Sequence, residues 1–408
     1  MAEAFIGLDL GTTGIKAVAF DGDDRELAVA VVPTPTHRLS SGGAEYDANE
    51  LWSAASQVLR AVTDRLQESG HRAAAVATAS MGESGVLIDG RGEPVAPIIA
   101  WFDTRTEPQA VWWRDHVGVE RTHRIAAIPP RATFGATKML WMKENRPEAW
   151  AAGRRWLNMA DWAAYRLTGV MATDHSLASR TMLFDLAARR WSHELLDAAG
   201  LDGSLLAPLV PSGAAVGQVT EEAAVETGLA PGIVVGAGGQ DHVCAALALG
   251  VTEPGTMLDS IGTAEAFFLV TEAVDRTGRV AGAGIGQGAH VEPDRTYAMA
   301  GLSQGGGRID DRRRSLGLDW EAFLLTPEAE AVIDDVASEG QELIATLMAV
   351  TGTATIRHLA TGGGSRNDRL IERKIELGGH AIELAAITEA TALGAARLGR
   401  RALGWVDR

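Results

Sequence analysis

The feature that most constrains the fold of this chain is a short pattern that occurs twice. Residues 8–20 have the sequence LDLGTTGIKAVAF, and residues 258–270 have the sequence LDSIGTAEAFFLV. An acidic residue, a Gly-Thr turn and an apolar second stretch stand in register in both copies, which is typical of a β-hairpin. Two copies of one hairpin in a chain of 408 residues predict two related domains, because this length exceeds what one hydrophobic core usually serves.

The segments outside the hairpins alternate between helical and extended patterns. Apolar residues with helical spacing over 50–67 predict a helix, and the apolar run at 73–79 predicts a strand. Before the second hairpin, a strand predicted at 232–236 is followed by a Gly-Gly turn and a helix rich in Ala and Leu. This alternation predicts an α/β fold in two domains, residues 1–243 and 244–408.

Charge and cysteine content exclude several classes of function. The net charge of −16 argues against DNA, RNA or an acidic membrane surface as a partner. Cys244 is the only cysteine, so neither an intrachain disulfide nor a zinc site built on thiolates is possible. The sequence has no signal-peptide pattern and no run of about 18–20 apolar residues, so we expect a soluble, cytoplasmic protein without a membrane partner.

Both hairpin turns have the composition of a phosphate-binding loop, because phosphates require converging N–H donors and close backbone approach. The candidate phosphate contacts are Gly11, Thr12 and Thr13 in the first turn and Gly262 and Thr263 in the second. Asp9 stands at the mouth of the first turn, where it is placed to bind Mg²⁺ directly or through water. The alternative is a turn without a ligand, since Gly-Thr-Thr-Gly is also a common way to reverse a strand.

Asp241 is the candidate general base. Gly238 and Gly239 let the backbone come close to a substrate, and the helix predicted over 240–250 directs its positive N-terminal end at the carboxylate. This field would keep the carboxylate ionised, and an ionised aspartate can orient a substrate hydroxyl and accept its proton. The alternative is a structural role, because aspartate is also frequent as the N-cap residue of a helix.

Two polar clusters follow predicted strands, where ligands of α/β proteins bind. Glu83 follows the strand predicted at 73–79, and Asp103 follows a later apolar run. These carboxylates are the candidate acceptors for the hydroxyl groups of a ligand, and Trp101 could contact the carbon–hydrogen faces of the same ligand. Arg105 is equally well a structural partner of Asp103.

Nine stretches of the sequence occur in an order that is specific to one family. They are residues 6–21, 44–52, 98–106, 138–148, 161–169, 238–250, 259–266, 301–310 and 360–379. In this series the chain resembles the FGGY carbohydrate kinases, which include xylulose, ribulose, fuculose, gluconate, erythritol and glycerol kinases. The resemblance extends over most of the chain.

The resemblance implies two RNase H-like domains of the actin and hexokinase type, with ATP and a sugar in a central cleft. It implies that residues 1–243 hold the sugar and the first phosphate loop, and that residues 244–408 hold the nucleotide. Asp9 falls on the Mg²⁺ position, Asp241 on the catalytic base, and the Gly262-Thr263 turn on the second phosphate loop. The implied adenosine loop comprises Gly362, Gly363, Gly364 and Asn367, and the implied sugar contacts are Glu83, Trp101, Asp241 and His242. A homodimer is one expectation, because dimers are the commonest oligomers.

Two departures from the family pattern bear on function. Where the family often has a Gly-Gln-Met-His-Gly turn, this chain has Ser-Met-Gly-Glu-Ser-Gly at 80–85. Between Gly301 and Ala360 the chain is shorter than the family, so we expect part of the usual insert to be absent at about 320–330, and with it part of the nucleotide-side wall. The sequence predicts an ATP-dependent kinase for a small ketose or polyol, with a xylulose-like pentulose as the first candidate. The alternative is a catalytically weak, actin-like nucleotide-binding or sugar-sensing protein.

Overall fold

The computed structural model describes residues 1–405, and two six-stranded β-sheets with flanking helices dominate this part of the chain. The strands, numbered in chain order, are β1 (Ala2–Leu10), β2 (Gly14–Phe20), β3 (Glu26–Pro33), β4 (His37–Arg38), β5 (Ala44–Tyr46), β6 (His71–Ser80), β7 (Gly85–Ile88), β8 (Ile98–Ile99), β9 (Arg155–Asn158), β10 (Thr173–Asp174), β11 (Phe184–Asp185), β12 (Arg190–Trp191), β13 (Leu209–Val210), β14 (Ala215–Gln218), β15 (Val234–Gln240), β16 (Thr256–Ile261), β17 (Glu265–Thr271), β18 (Gly286–Ala289), β19 (Thr296–Leu302), β20 (Arg357–Thr361) and β21 (Glu383–Leu384). The α-helices are α1 (Ala48–Glu68), α2 (Glu107–Trp113), α3 (Val119–Ala126), α4 (Gly135–Asn145), α5 (Pro147–Ala152), α6 (Met159–Thr168), α7 (His175–Ala178), α8 (His193–Ala199), α9 (Glu221–Thr227), α10 (Asp241–Ala248), α11 (Arg279–Gly282), α12 (Gly306–Ser315), α13 (Trp320–Leu324), α14 (Pro327–Thr351), α15 (Asp368–Gly378) and α16 (Ala390–Ala402). A π-helix covers Arg114–Gly118, and 3₁₀ helices cover Gly203–Leu205 and Gly363–Arg366. Within residues 1–405, none of the helices has the length and apolar character needed to cross a membrane.

Five strands of each main sheet share one topology, and the sixth strand lies at opposite ends of the two sheets. The strand order of the first sheet is β14-β15-β6-β1-β2-β3, in which β1, β2 and β3 are antiparallel and β6 and β15 are added in parallel beside β1. The order of the second is β18-β19-β17-β16-β20-β21, in which β16, β17 and β19 are antiparallel and β20 and β21 are added in parallel. The repeated sequence pattern forms β1-β2 in one sheet and β16-β17 in the other. The predicted hairpins and the predicted α/β fold class are therefore confirmed.

Helix α1 shows how the sequence directs its local structure. The Asp47 side chain accepts hydrogen bonds from the backbone N–H groups of Asn49 and Glu50, which caps the first turn. The apolar residues of α1 recur on one face, and that face is buried in the same core as the first sheet. The helix predicted over 50–67 is therefore confirmed, with the bounds Ala48–Glu68.

Helices α10 and α16 lie in the core that joins the two sheets. Phe5 and Val18 of the first sheet and Leu258 and Phe268 of the second belong to one buried cluster with Cys244 of α10. Leucine and alanine residues of α16 complete this cluster. Strands of both sheets therefore pack into one common hydrophobic core.

Helix α16 follows the second sheet in sequence but packs closely on the first. A Cβ atom on Gly7 of β1 would lie 1.8 Å from the carbonyl oxygen of Ala392, so only glycine permits this approach. A Cβ atom on Gly394 would lie 1.9 Å from the carbonyl oxygen of Cys244 in α10. Because α16 contacts elements of both halves, the division at residues 243 and 244 stays a prediction.

Candidate active site

A cavity of about 230 Å³ lies where strands of both sheets end. From the first half it is lined by Asp9, Lys16, Asp241 and His242. From the second half it is lined by Ser260, Thr361, Gly362 and Glu389, among others. The structure thus brings together Asp9, Asp241 and His242 with one glycine of the predicted adenosine loop. The carboxyl ends of parallel strands are the usual ligand-binding edge of α/β sheets, so this cavity is the candidate active site.

The environment of Asp9 fits a divalent cation. Its Oδ1 atom is buried and has no hydrogen-bond partner among the described residues. Burial and the negative charge of Asp241 raise the pKa of Asp9 to about 8, and Lys16 only partly opposes them. A cation would relieve both the unpaired oxygen and the repulsion. Residues 1–405 contain no group of three or more His, Cys, Asp or Glu that could hold a metal.

Asp241 is the first residue of α10, and the N-cap position is occupied by Gln240. The N-cap alternative for Asp241 is therefore wrong. Its Oδ1 accepts a hydrogen bond from the backbone N–H of His242 at 2.7 Å. Burial raises the pKa of Asp241, and the charge of Glu83 adds to this, while His242 and Arg180 act in the opposite direction. The helix end was expected to keep this carboxylate ionised, but burial outweighs it, which moves the carboxylate toward the proton affinity that a base needs near neutral pH.

A buried polar network fixes the backbone just before Asp241. The Ser176 hydroxyl accepts a hydrogen bond from the backbone N–H of Gln240 at 2.9 Å. Asp174 in turn accepts from the backbone N–H of Ser176 at 2.9 Å. Close approach matters here as well, since a Cβ atom on Gly238 would lie 1.9 Å from the carbonyl oxygen of Thr78. Sequence reasoning identified the glycines but missed Ser176 and Asp174.

An ion pair between Lys16 of β2 and Glu389 crosses the cavity. Both side chains are about three-quarters buried, and both line the space beside Asp9 and Asp241. Lys16 brings a positive charge next to the carboxylates of Asp9, Asp241 and Glu389 in this cavity. It is therefore placed to contact a phosphate group. Sequence reasoning missed this pair, because its members are 373 positions apart.

The first hairpin turn is held in a defined shape. The Gly11 N–H donates to the carbonyl oxygen of Gly14 at 3.1 Å, and the Thr34 hydroxyl donates to the carbonyl oxygen of Gly11 at 2.6 Å. The Trp101 indole N–H donates to the Thr12 hydroxyl at 2.9 Å. Thr13 of the predicted loop is exposed at the tip of the turn. The predicted sugar contact Trp101 therefore stands against the first predicted phosphate loop.

The second turn is braced by a third glycine segment. Thr263 accepts hydrogen bonds through its carbonyl oxygen from the N–H groups of Gly305 at 2.9 Å and Gly307 at 3.1 Å. A Cβ atom on Gly306 would lie 2.7 Å from the carbonyl oxygen of Gly262. The segment at 305–307 thus touches both residues of the turn. It was not among the predicted site residues, although three consecutive glycines were a visible signal.

The predicted adenosine loop packs against the end of β16. Gly362 has a positive φ of 89°, and a Cβ atom there would lie 2.5 Å from the carbonyl oxygen of Ile261. Asn367 caps α15, because its Oδ1 accepts a hydrogen bond from the Leu370 N–H at 3.3 Å. Gly363 and Gly364 form the first turn of the 3₁₀ helix in between.

A larger cavity of about 470 Å³ opens beside these loops. Its lining includes Gly262, Thr263, Gly306, Gly307, Gly363, Gly364 and Asn367. Helix α13 adds Trp320 and Leu324 as an apolar wall, and Arg366 and Asp310 add polar groups. Helix α13 therefore supplies part of the wall of this cavity, and the expected absence of part of the family insert at about 320–330 stays a prediction.

Glu83 forms a buried ion pair with Arg180. It accepts a hydrogen bond from Nε of Arg180 at 2.7 Å, and the two side chains are 9% and 7% exposed. The Arg180 guanidinium also stacks over the Phe134 ring at 5.0 Å, and Glu83 holds its pKa above the ordinary value although burial acts against this. Arg180 is a site residue that sequence reasoning missed.

Both carboxylate oxygens of Asp103 accept hydrogen bonds from the protein itself. Its Oδ2 accepts hydrogen bonds from the Ala44 N–H at 2.7 Å and from Nη2 of Arg105 at 2.6 Å, and its Oδ1 accepts from the Arg105 N–H at 2.8 Å. Burial acts to raise the pKa of Asp103, but these hydrogen bonds hold it below the ordinary value. The geometry supports the alternative weighed for Arg105, a structural partner of Asp103.

Comparisons with known proteins agree with this architecture. The model of the "FGGY family of carbohydrate kinases, N-terminal domain" matches residues 4–248. A xylulose kinase of Streptomyces rubiginosus is 30% identical over 443 aligned positions, which cover 96% of this chain and 86% of that protein. The crystal structure of xylulose kinase from Rhodospirillum rubrum has a TM-score of 0.90 at 24% identity and covers 97% of this chain and 89% of its own. That of Plasmodium falciparum glycerol kinase with ADP has a TM-score of 0.90 at 17% identity, covering 100% and 91%. The chain therefore belongs to the FGGY family of carbohydrate kinases.

Proposed function

We propose that this ATP-dependent sugar kinase phosphorylates a hydroxyl group of a small ketose or polyol, with a xylulose-like pentulose as the first candidate and Asp241 as the general base. The observation that carries the proposal is the convergence of Asp9, Asp241 and Lys16 in one cavity between the two sheets. Gly362 of the predicted adenosine loop borders the same cavity, and the glycine segments at 262, 306–307 and 363–364 line the larger cavity. The relatives named xylulose kinase support the substrate class.

In the proposed reaction, a substrate hydroxyl oxygen attacks the γ-phosphorus of ATP, its proton passes to an Asp241 oxygen, and ADP leaves. Asp241 needs to be ionised before the transfer, and its raised pKa makes it a stronger base than an ordinary aspartate. Asp9 would hold Mg²⁺, which neutralises charge on the phosphates when it is bound. Lys16 would contact a phosphate oxygen, and the loop N–H groups would stabilise the transferring group.

The sugar would lie between Asp241 and Glu83, with Trp101 and His242 at its edge. Arg180 holds one oxygen of Glu83, so the other oxygen is the acceptor for a substrate hydroxyl. Trp101 connects this side to the phosphate side through its hydrogen bond to Thr12. Closure of the cleft would exclude water and limit ATP hydrolysis.

The alternative of a weak nucleotide-binding or sugar-sensing protein is less well supported. It was motivated by the shortened second half, yet residues of α13 supply part of the wall of the larger cavity. A homodimer and a cytoplasmic location stay predictions.

The test is ADP release at saturating Mg-ATP with a panel of pentuloses, hexuloses, tetritols and glycerol. We expect turnover that depends on sugar and is highest for one pentulose. ADP release that no sugar stimulates would refute the kinase proposal and favour the sensor.

A further inference from the structure

A buried cluster of charges lies beneath the nucleotide-side loops. Lys374 donates hydrogen bonds to Asp259 Oδ2 at 2.6 Å and to Glu265 Oε1. The three residues are 5%, 0% and 1% exposed, and the Phe267 ring lies 4.9 Å from Lys374 Nζ. His358 adds a nitrogen 3.6 Å from Asp259 Oδ2. The proposed phosphoryl transfer uses none of these groups directly.

The cluster connects elements that each carry a nucleotide-side loop. Asp259 in β16 and Glu265 in β17 stand on either side of the Gly262-Thr263 turn. Lys374 belongs to α15, which begins directly after the loop at 362–367. One ammonium group therefore joins both strands of the second phosphate loop to the helix of the predicted adenosine loop.

Glu265 also contacts the third glycine segment. A Cβ atom on Gly305 would lie 2.6 Å from the Glu265 Cβ and 2.9 Å from its Oε2. Because the Gly305 N–H donates to the carbonyl oxygen of Thr263, the segment at 305–307 is held between the turn and this carboxylate. The cluster thus contacts or directly adjoins the elements that carry all three loops of the larger cavity, at 262–263, 305–307 and 362–367.

The two acids of the repeated hairpin have opposite environments. Burial and the charge of Asp241 raise the pKa of Asp9 to about 8. The Oδ1 atoms of Asp9 and Asp259 both lack a hydrogen-bond partner among the described residues, so the difference between the two acids lies in the charges beside them. Burial also acts to raise the pKa of Asp259, but Lys374 and His358 hold it below the ordinary value. Asp9 can therefore accept a cation from outside the protein, whereas Asp259 already has a cation beside it, the ammonium group of Lys374.

We propose that Lys374 is a positioning residue for nucleotide binding, which sets the two glycine loops at 262–263 and 362–364 in register through Asp259 and Glu265. The inference rests on the proposed function. A buried ion pair generally adds little stability compared with well-packed apolar residues, and its best-attested role is to specify one geometry. Displacement of a binding group by about 1 Å is enough to cost affinity.

The test compares Mg-ADP affinity and steady-state kinetics of the wild type and of Lys374→Met. We expect Kd for Mg-ADP and KM for ATP to rise about 10- to 100-fold, while KM for the sugar changes less than about 2-fold. A purely structural role would lower the amount of folded enzyme and leave both KM values unchanged. Arg373→Met is the matched control, because Arg373 precedes Lys374 on α15 and pairs at the surface with Asp334 and Glu376.

Lys374→Met leaves Asp259 buried without its charged partner, which by itself could cause misfolding. A second variant therefore separates misfolding from the loss of loop positioning. Asp259→Asn with Lys374→Met removes the charges of Lys374 and Asp259 together, and the remaining acid, Glu265, has a pKa raised by burial to about 8, so its carboxyl group keeps its proton at neutral pH. We expect this double variant to fold and still to show the raised Kd for Mg-ADP. Wild-type affinity in the double variant, or loss of its folding, would overturn the proposal. If the wild type shows no turnover with any sugar, the proposed function fails, while the Mg-ADP comparison still decides the role of Lys374.

Discussion

Replacement of Asp241 by asparagine tests the centre of the proposed mechanism. Asparagine keeps the size of the side chain and removes the proton acceptor. General bases contribute about 100- to 10,000-fold to the rate, so kcat should fall by that factor, which corresponds to about 2.7–5.5 kcal/mol. ATP affinity should change little, because the substitution leaves Lys16 and the loop at Gly362, which line the candidate active site, unchanged.

The structure adds a second effect of the same variant. Asp241 is, after burial, the largest cause of the raised pKa of Asp9, which is about 8. A carboxyl with a raised pKa holds its proton below that pH, so in the wild type Mg²⁺ must displace a proton from Asp9, and Mg²⁺ affinity should rise as pH increases toward 8. In Asp241→Asn the pKa of Asp9 falls, and the rise in Mg²⁺ affinity should shift to lower pH.

The assay is coupled ADP release for kcat, with calorimetric titration of Mg²⁺ and ADP between pH 6 and pH 9. Asp202→Asn is the matched control, because Asp202 is exposed at the 3₁₀ helix Gly203–Leu205, and asparagine caps such turns equally well. A kcat for Asp241→Asn within about 3-fold of the wild type would refute the base assignment. An unchanged pH profile for Mg²⁺ would refute the coupling between Asp9 and Asp241.

Three further variants probe other parts of the site. Glu389→Gln frees Lys16 for phosphate, so KM for ATP should fall about 2- to 5-fold, and an increase would contradict the role of Lys16. Arg180→Met leaves Glu83 buried without its partner; the free energy of unfolding should drop by about 3–5 kcal/mol in denaturant titrations, and KM for the sugar should rise with little change in KM for ATP. Trp320→Ala removes an aromatic side chain of the larger cavity on which the adenine base of ADP could stack, so Kd for ADP, measured by calorimetry, should rise about 5- to 100-fold. An unchanged Kd would mean that adenine binds elsewhere.

The local parts of the site were predictable because the backbone conformation of a short segment depends on that segment. The turn at Gly11 and the glycines at 362–364 were identified from composition, and the structure forms the turn between β1 and β2 and places the glycines at 362–364 beside the two cavities. The helix that begins near Asp241 was predicted in the same way, but the turn predicted at Gly238 and Gly239 is wrong, because both glycines belong to strand β15. The prediction failed where a side chain had two possible partners, as with Asp103, whose oxygens are taken by Arg105 and the Ala44 backbone.

Residue pairs distant in sequence could not be predicted from it. Glu83 and Arg180 are 97 positions apart, and Lys374 is 115 positions from Asp259. No periodicity or motif links the members of such pairs, because each belongs to a different element, and only the packing of these elements decides which charges meet.

By itself, the sequence determined that this protein contains two copies of one hairpin, an α/β fold and several glycine loops suited to phosphate, since these follow from local periodicity and backbone freedom. The tertiary structure alone decided which acid of the repeated hairpin is open to a cation. Asp9 lies beside Asp241, which raises its pKa, whereas Asp259 forms an ion pair with Lys374, which lowers its pKa, so two identical residues in the same sequence context have different environments. The physical reason is that burial and neighbouring charges set the pKa of a carboxyl group, and both are properties of the packed fold.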